Sequence, residues 1–150
     1  LALLFIGFGW GKPVPVNPNN FLNPKLDNLK VALAGPISNF ILAIIFALFN
    51  FIFQPEPSSF AATFTALIIW INLFLMFFNL IPIPALDGSK FVHLFLSEES
   101  YAYYSQYGTY LLLGLILLAY INIPIFSWLI TGPTQRLFNL LTGTNLQGLF

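Results

Sequence analysis

From Pro57 to Leu86 about thirty consecutive residues carry no charge, and the run stops at the carboxylate of Asp87. A helix of about 20 predominantly apolar residues is enough to cross a bilayer. Two further uncharged runs pass the same test, Val31 to Phe53 and Tyr107 to Ile130. Little is left over to make a water-facing surface. The chain holds five basic and five acidic residues, 7% of its 150 positions, against about 25% in soluble domains. The expected fold is therefore an all-α polytopic membrane protein. It forms one membrane domain over residues 1–150, with spans at about 31–53, 60–83 and 107–130.

Three smaller features complete the expected architecture. Leu1 to Trp10 is apolar and aromatic, without a basic leader or a small-residue cleavage site. It fits the end of a span whose beginning is missing, so the sequence reads as an N-terminally truncated piece. Gly11 to Pro18 alternates proline with other residues, which forces extended backbone. Residues 88–96 have the pattern of a short amphipathic helix. Lys90, His93 and Ser97 lie on one face, and Phe91, Val92, Phe95 and Leu96 face the other way.

Charge placement suggests an orientation. Lys12, Lys25 and Lys30 precede the first full span and Lys90 follows the second, while the turn Gln54–Ser59 has no basic residue. Gly11–Lys30 and the Lys90 loop are expected on the cytoplasmic side and the tail outside, with Arg136 weighing against the latter. A net charge of zero argues against nucleic acid as a partner. The absence of cysteine excludes disulfides and thiolate metal sites.

Asp87 is the first candidate for chemistry. Asp-Gly is a common turn dipeptide, and Asp87 could simply cap the helix that follows. Its setting offers another reading. Pro82 and Pro84 break the helix at membrane depth, where non-helical backbone is tolerated only when buried in protein or lining a polar cavity. An ionisable group there is a functional-site hypothesis by default. In Ala34-Gly-Pro-Ile-Ser-Asn39, Pro36 could open a helix at its first position, leaving Asn39 one turn into the membrane. Asn39 could make an interhelical hydrogen bond worth about 1 kcal/mol, or aim a donor at a developing oxyanion. His93, the lone histidine, points about 120° away from Asp87 on a helix and shares a face with Lys90, which disfavours it as a ligand. Packing hydrogen bonds account for Asn72, Asn79 and Asn122.

Three segments together resemble one family. Gly9-Trp-Gly-Lys-Pro-Val-Pro-Val-Asn-Pro18, Ala32-Leu-Ala-Gly-Pro-Ile-Ser-Asn39 and Asn79-Leu-Ile-Pro-Ile-Pro-Ala-Leu-Asp-Gly88 occur in this order. They resemble the site-2 protease family of zinc-dependent intramembrane peptidases, in its short bacterial form. The resemblance covers about residues 7 to 96. It implies that Asp87 is a Zn²⁺ ligand and that Asn39 contacts substrate or the oxyanion. Gly35 and Pro36 then lie at the substrate site, and Val14 and Val16 in an extended element along the substrate path. It also implies a transmembrane protein substrate and a bacterial plasma-membrane location with the active site toward the cytoplasm. The family's His-Glu-x-x-His motif, which supplies two histidine ligands and the general base, is absent here and is expected upstream of Leu1. The chain by itself is then expected to lack zinc affinity, since one carboxylate is not a zinc site. The rival readings are a non-catalytic relative, or a small transporter or scaffold using Asp87 as an ion site.

Overall fold

The computed structural model describes residues 22–121 and 123–143. Leu1 to Trp10, the Pro-rich segment with Val14 and Val16, and Asn122 lie outside the described residues. Among those that are described, every regular element is helical.

Helix α1 (Pro24–Phe53) begins where the chain can satisfy its first amides. The Asn23 side chain accepts a hydrogen bond from Leu26 N–H, Pro24 fills the first turn, and Asp27 returns a bond to Asn23 N–H at 3.0 Å. The charges Lys25, Asp27 and Lys30 all fall in the first two turns. At about 1.5 Å per residue α1 is about 45 Å long, so its polar start projects beyond a hydrocarbon core about 30 Å thick. The expected start at Pro36 is not found. Pro36 lies buried inside the helix, which passes through it. Ser38 Oγ donates to Ala34 O at 2.7 Å one turn further back. Membrane helices tolerate such a proline because neighbouring groups re-satisfy the backbone around it.

A left-handed Gln54 (φ 43°, ψ 54°) ends α1 by donating its N–H to Asn50 O. Ser59 then caps α2 (Phe60–Asn79), accepting from Ala62 N–H. The two helices form an antiparallel hairpin. Ala43 and Ala47 of α1 meet a buried stripe of α2 that contains Ala66, Ile69, Leu73 and Met76. Small residues on both helices let the backbones approach closely, which is how helices associate where lipid removes the hydrophobic driving force. Thr65 Oγ1 donates to Asn50 Oδ1 at 2.7 Å across the pair. The outer faces carry Ile37, Ile41, Ile45, Phe64 and Ile71 exposed, as a lipid-facing surface requires. Both helices are long and apolar enough to cross a membrane.

Beyond Asp87 come α3 (Ser89–Phe95), α4 (Glu98–Gln106) and α5 (Gly108–Tyr120). A π-helical turn (Ser127–Thr131) then leads into α6 (Gly132–Thr142). The expected continuous span at 107–130 is not formed. Helix α5 has 13 residues, about 20 Å. Pro124 lacks an amide donor, and proline disfavours helical backbone in the residue before it. Ile123 N–H reaches back five residues to Leu118 O, and the chain turns. Helix α6 returns to the hairpin, where Phe138 is fully buried and meets the Trp70 ring edge-on at 5.9 Å. Thr142 and Phe138 share a cavity of about 360 Å³ with Asn50, Gln54 and Pro55, at the turn of the hairpin. The tail, unassigned in sequence, therefore begins as a core helix.

Candidate metal-ligand site at the broken end of helix α2

Helix α2 stops at Asn79 because Pro82 and Pro84 cannot continue it. The next residues close a compact loop. Ile83 N–H donates to Ile81 O, Leu86 N–H to Ile83 O, and Gly88 N–H to Asn79 O at 2.7 Å. This last bond draws Gly88 against the end of α2. A β-carbon at Gly88 would lie 2.2 Å from Leu80 O and 2.5 Å from Ile81 O, so no side chain fits. The Asp-Gly pair is thus a close-approach device here, not a left-handed turn.

Asp87 stands at the mouth of this loop. The simple capping role fails, since Gly88 occupies the cap of α3 and no side chain bonds to its first amides. Among the described residues the Asp87 carboxylate has no hydrogen bond and no ion pair. Burial raises its pKa above the ordinary carboxylate value, and the Lys90 charge offsets only part of that. The carboxylate faces α1. A β-carbon on Gly35 would lie 3.4 Å from Asp87 Oδ2. The absence of a side chain at Gly35 therefore keeps the approach to the carboxylate open. Asn39 lies one turn along α1 from Gly35, on the same face and half-buried. Pro36 is buried beside them. The structure thus brings Gly35 to Asp87 and carries Asn39 on the adjoining turn.

The other expected candidate takes a different place. His93 Nε2 lies 3.0 Å from Glu98 Oε2, and its ring stacks on Tyr101 at 3.9 Å. Among the described residues no group of three or more His, Cys, Asp or Glu side chains could hold a metal. Asn72 bonds to its own helix, donating to Ile68 O.

Helix α3 turns its polar edge inward. His93 is buried, at 8% exposure, whereas Phe95 is 86% and Phe91 40% exposed. The polar edge is turned inward because it has partners there. Lys25 of α1 donates to Leu96 O and lies 3.7 Å from Glu98, which also holds His93. These contacts tie the start of α1 to the junction of α3 and α4.

Helix α4 supplies what the sequence reading missed. The stretch 87–106 was read as a linker carrying one short helix. Instead, Tyr104 donates its hydroxyl to Pro82 O inside the loop. Three residues earlier Tyr101 reaches Ser89 Oγ at 3.2 Å and Lys90 Nζ at 3.0 Å on the far side of Asp87. Gly108 packs against Pro84, where a β-carbon would come within 2.8 Å of the ring. Tyrosines at i and i+3 in a polar segment were the available signal.

Residues 52–121 match peptidase family M50, a stretch that contains the whole Asp87 loop. The chain is similar to that family over just under half of its length. Three relatives carry names that extend the M50 similarity. A Bacillus subtilis protein named "Putative zinc metalloprotease YwhC" is 42% identical over 99 residues, covering 61% of this chain and 45% of that protein. The Methanocaldococcus jannaschii protein named "Putative zinc metalloprotease MJ0611" is 40% identical over 78 residues, 47% of this chain and 36% of its own. A second protein of that organism, named "Zinc metalloprotease MJ0392", is 30% identical over 76 residues, 51% of this chain and 22% of its own. The chain spans less than half the length of each. No solved structure matches it.

Proposed function

We propose that this chain is part of a zinc-dependent intramembrane protease, and that Asp87 is one of its metal ligands. One observation carries the reading. A partly buried carboxylate without a partner among the described residues stands at the end of a broken membrane helix, facing bare backbone at Gly35. Relatives named as zinc metalloproteases and the M50 similarity support it. One carboxylate fits a zinc site as a single oxygen donor, since a catalytic site takes three protein ligands. In this reading the remaining ligands and the general base come from a His-Glu-x-x-His helix outside this sequence. Bound zinc supplies Lewis acidity, polarising the scissile carbonyl and activating water.

The residues of this chain do the rest. Asp87 presents a charged oxygen in a partly desolvated place, where electrostatic attraction is strong. The loop from Asn79 to Gly88 holds it there. Gly35 leaves space against α1 for the substrate backbone, with Pro36 fixing that turn. Asn39 donates its side-chain amide to the substrate carbonyl oxygen as charge builds on it. Val14 and Val16 are further substrate contacts in this reading. In topology, α5, the π-helical turn and α6 together make a third crossing from the Asp87 end to the hairpin turn. The Asp87 end then lies on the cytoplasmic side of a bacterial plasma membrane.

The decisive experiment is Asp87→Asn in the intact protein. Zinc content should fall from one per chain to near zero, together with cleavage of a transmembrane substrate. Retention of zinc, with loss of an ion-coupled flux instead, would establish the transporter reading.

A further inference from the structure

The protein contains the same charge pair twice at the same spacing, and only one of them closes. Asp27 and Lys30 lie three residues apart and meet at 2.8 Å. Asp87 and Lys90 also lie three residues apart, with Asp87 in the turn just before a helix, and their charged groups do not come within ion-pair distance. Lys90 N–H donates to Asp87 O at 3.0 Å, so the two residues bracket one turn and their opposite charges attract at short range. Partial burial strengthens that attraction at Asp87.

Asp87, unlike Asp27, precedes its helix, and Lys90 has another partner in Tyr101. Lys90 Nζ donates to the Tyr101 hydroxyl at 3.0 Å and lies 5.3 Å from the centre of its ring. A second contact fixes the phenol itself. Ser89 Oγ already donates to Leu86 O at 2.8 Å, so at the 3.2 Å contact between Ser89 and Tyr101 the phenol is the donor. The result is one directed chain, Lys90 ammonium to Tyr101 hydroxyl to Ser89 hydroxyl to Leu86 carbonyl. Each bond in such a chain polarises and strengthens the next. The chain begins and ends on residues flanking Asp87 and bypasses its carboxylate. The His93 ring, stacked on Tyr101, holds the phenol from its other side.

We infer that Tyr101 is a positioning residue that diverts the Lys90 ammonium from Asp87, leaving the carboxylate free to ligate a divalent metal ion. The inference rests on the reading of Asp87 as a ligand. If Lys90 closed on Asp87, a metal would have to displace an ammonium before binding. Lys90 still contributes its charge at longer range without occupying the carboxylate.

The test uses the intact protein in lipid with two readouts. Solid-state NMR measures the distance from lysine ¹⁵Nζ to aspartate ¹³Cγ, in a Lys30→Gln background that removes the Asp27 pair. Competition with a chelator measures zinc affinity. In Tyr101→Phe the Lys90–Asp87 distance should fall to about 4 Å or less, as in a closed ion pair. Zinc affinity should drop about tenfold, the lower range for losing a group that orients a ligand. Adding Lys90→Gln to Tyr101→Phe should restore affinity, a rescue that a purely structural role for the phenol would not give. An unchanged Lys90–Asp87 distance in Tyr101→Phe overturns the inference. A shortened distance with unchanged zinc affinity sustains the diversion and overturns Asp87 as the ligand.

Discussion

The second and third apolar runs contain the same kinds of residue and fold differently. Residues 60–79 make one straight helix of 20 residues, whereas 107–130 break into a 13-residue helix, a turn and a π-helical segment. Two physical differences account for this. The prolines of the second run, Pro82 and Pro84, come after enough helix has formed to cross the bilayer, whereas Pro124 falls inside the third. The packing differs as well. Helix α2 buries a continuous stripe against α1, from Ala62 to Met76, but α5 buries only Gly108 and Leu115. Hydropathy decides that a segment avoids water. Proline position and a packing partner decide whether it stays one rod.

Phe138→Ala should break this contrast most severely. Phe138 anchors the broken region to the hairpin, and truncating a buried Phe costs about 3–5 kcal/mol. Amide exchange should rise sharply in α6 and the π-helical turn while α1 and α2 stay protected. Equal loss of protection in the hairpin would show that the two regions are one cooperative unit. Glycine substitution gives the next largest effect and separates the regions by sign. Gly88→Ala should cost about 3 kcal/mol or more, since backbone rather than side chain blocks the new methyl. Its partner Gly114→Ala, in α5, meets nothing within 4 Å and should stabilise the helix by about 0.5–1 kcal/mol. Thermal unfolding in detergent measures both. Thr65→Val should then cost about 1 kcal/mol by removing the hydrogen bond across the hairpin, a loss visible in the same melts.

The smallest effect concerns pH. The hydrogen bond from His93 holds the Glu98 carboxyl below its ordinary value of 4.5, and Lys25 adds to this. A carboxyl depressed in the folded state contributes stability above its unfolded pKa and loses it as pH falls through the folded one. The start of α4 should therefore loosen from α1 only below about pH 4. Exchange at residues 98–101, followed from pH 6 to pH 3, should show no change above pH 5.

Much of this fold could be read from the chain, and what could not has identifiable causes. The hairpin was legible because two long uncharged runs flank a short turn with two prolines. So was the break before Asp87, since Pro82 and Pro84 admit no other reading. The continuity of α1 through Pro36 was not legible, because the helix start is decided by Asn23 and Pro24, twelve residues earlier. Which face of α3 is covered was not legible, because an amphipathic pattern separates two faces without saying what packs on either. Here the polar edge pairs with Tyr101 and with the exposed Glu98, and the phenylalanines turn outward. At the site, Asp87 stood out by its position alone. The tyrosines of α4 did not, because their partners are a proline carbonyl and a lysine that come near only through the closed loop.

Under the proposed function, the outward phenylalanines of α3 bear on where cleavage occurs. Exposed phenylalanines on a short helix beside a membrane span are drawn out of water into the bilayer. Phe91 and Phe95 lie four and eight residues from Asp87 on a helix whose start is locked to the same loop. The helix therefore acts as a float, and the carboxylate hangs from it at a set depth. A membrane-embedded partner would be sampled only where its own chain passes that level, so the depth of a bond would count in its selection alongside the residues on either side of it.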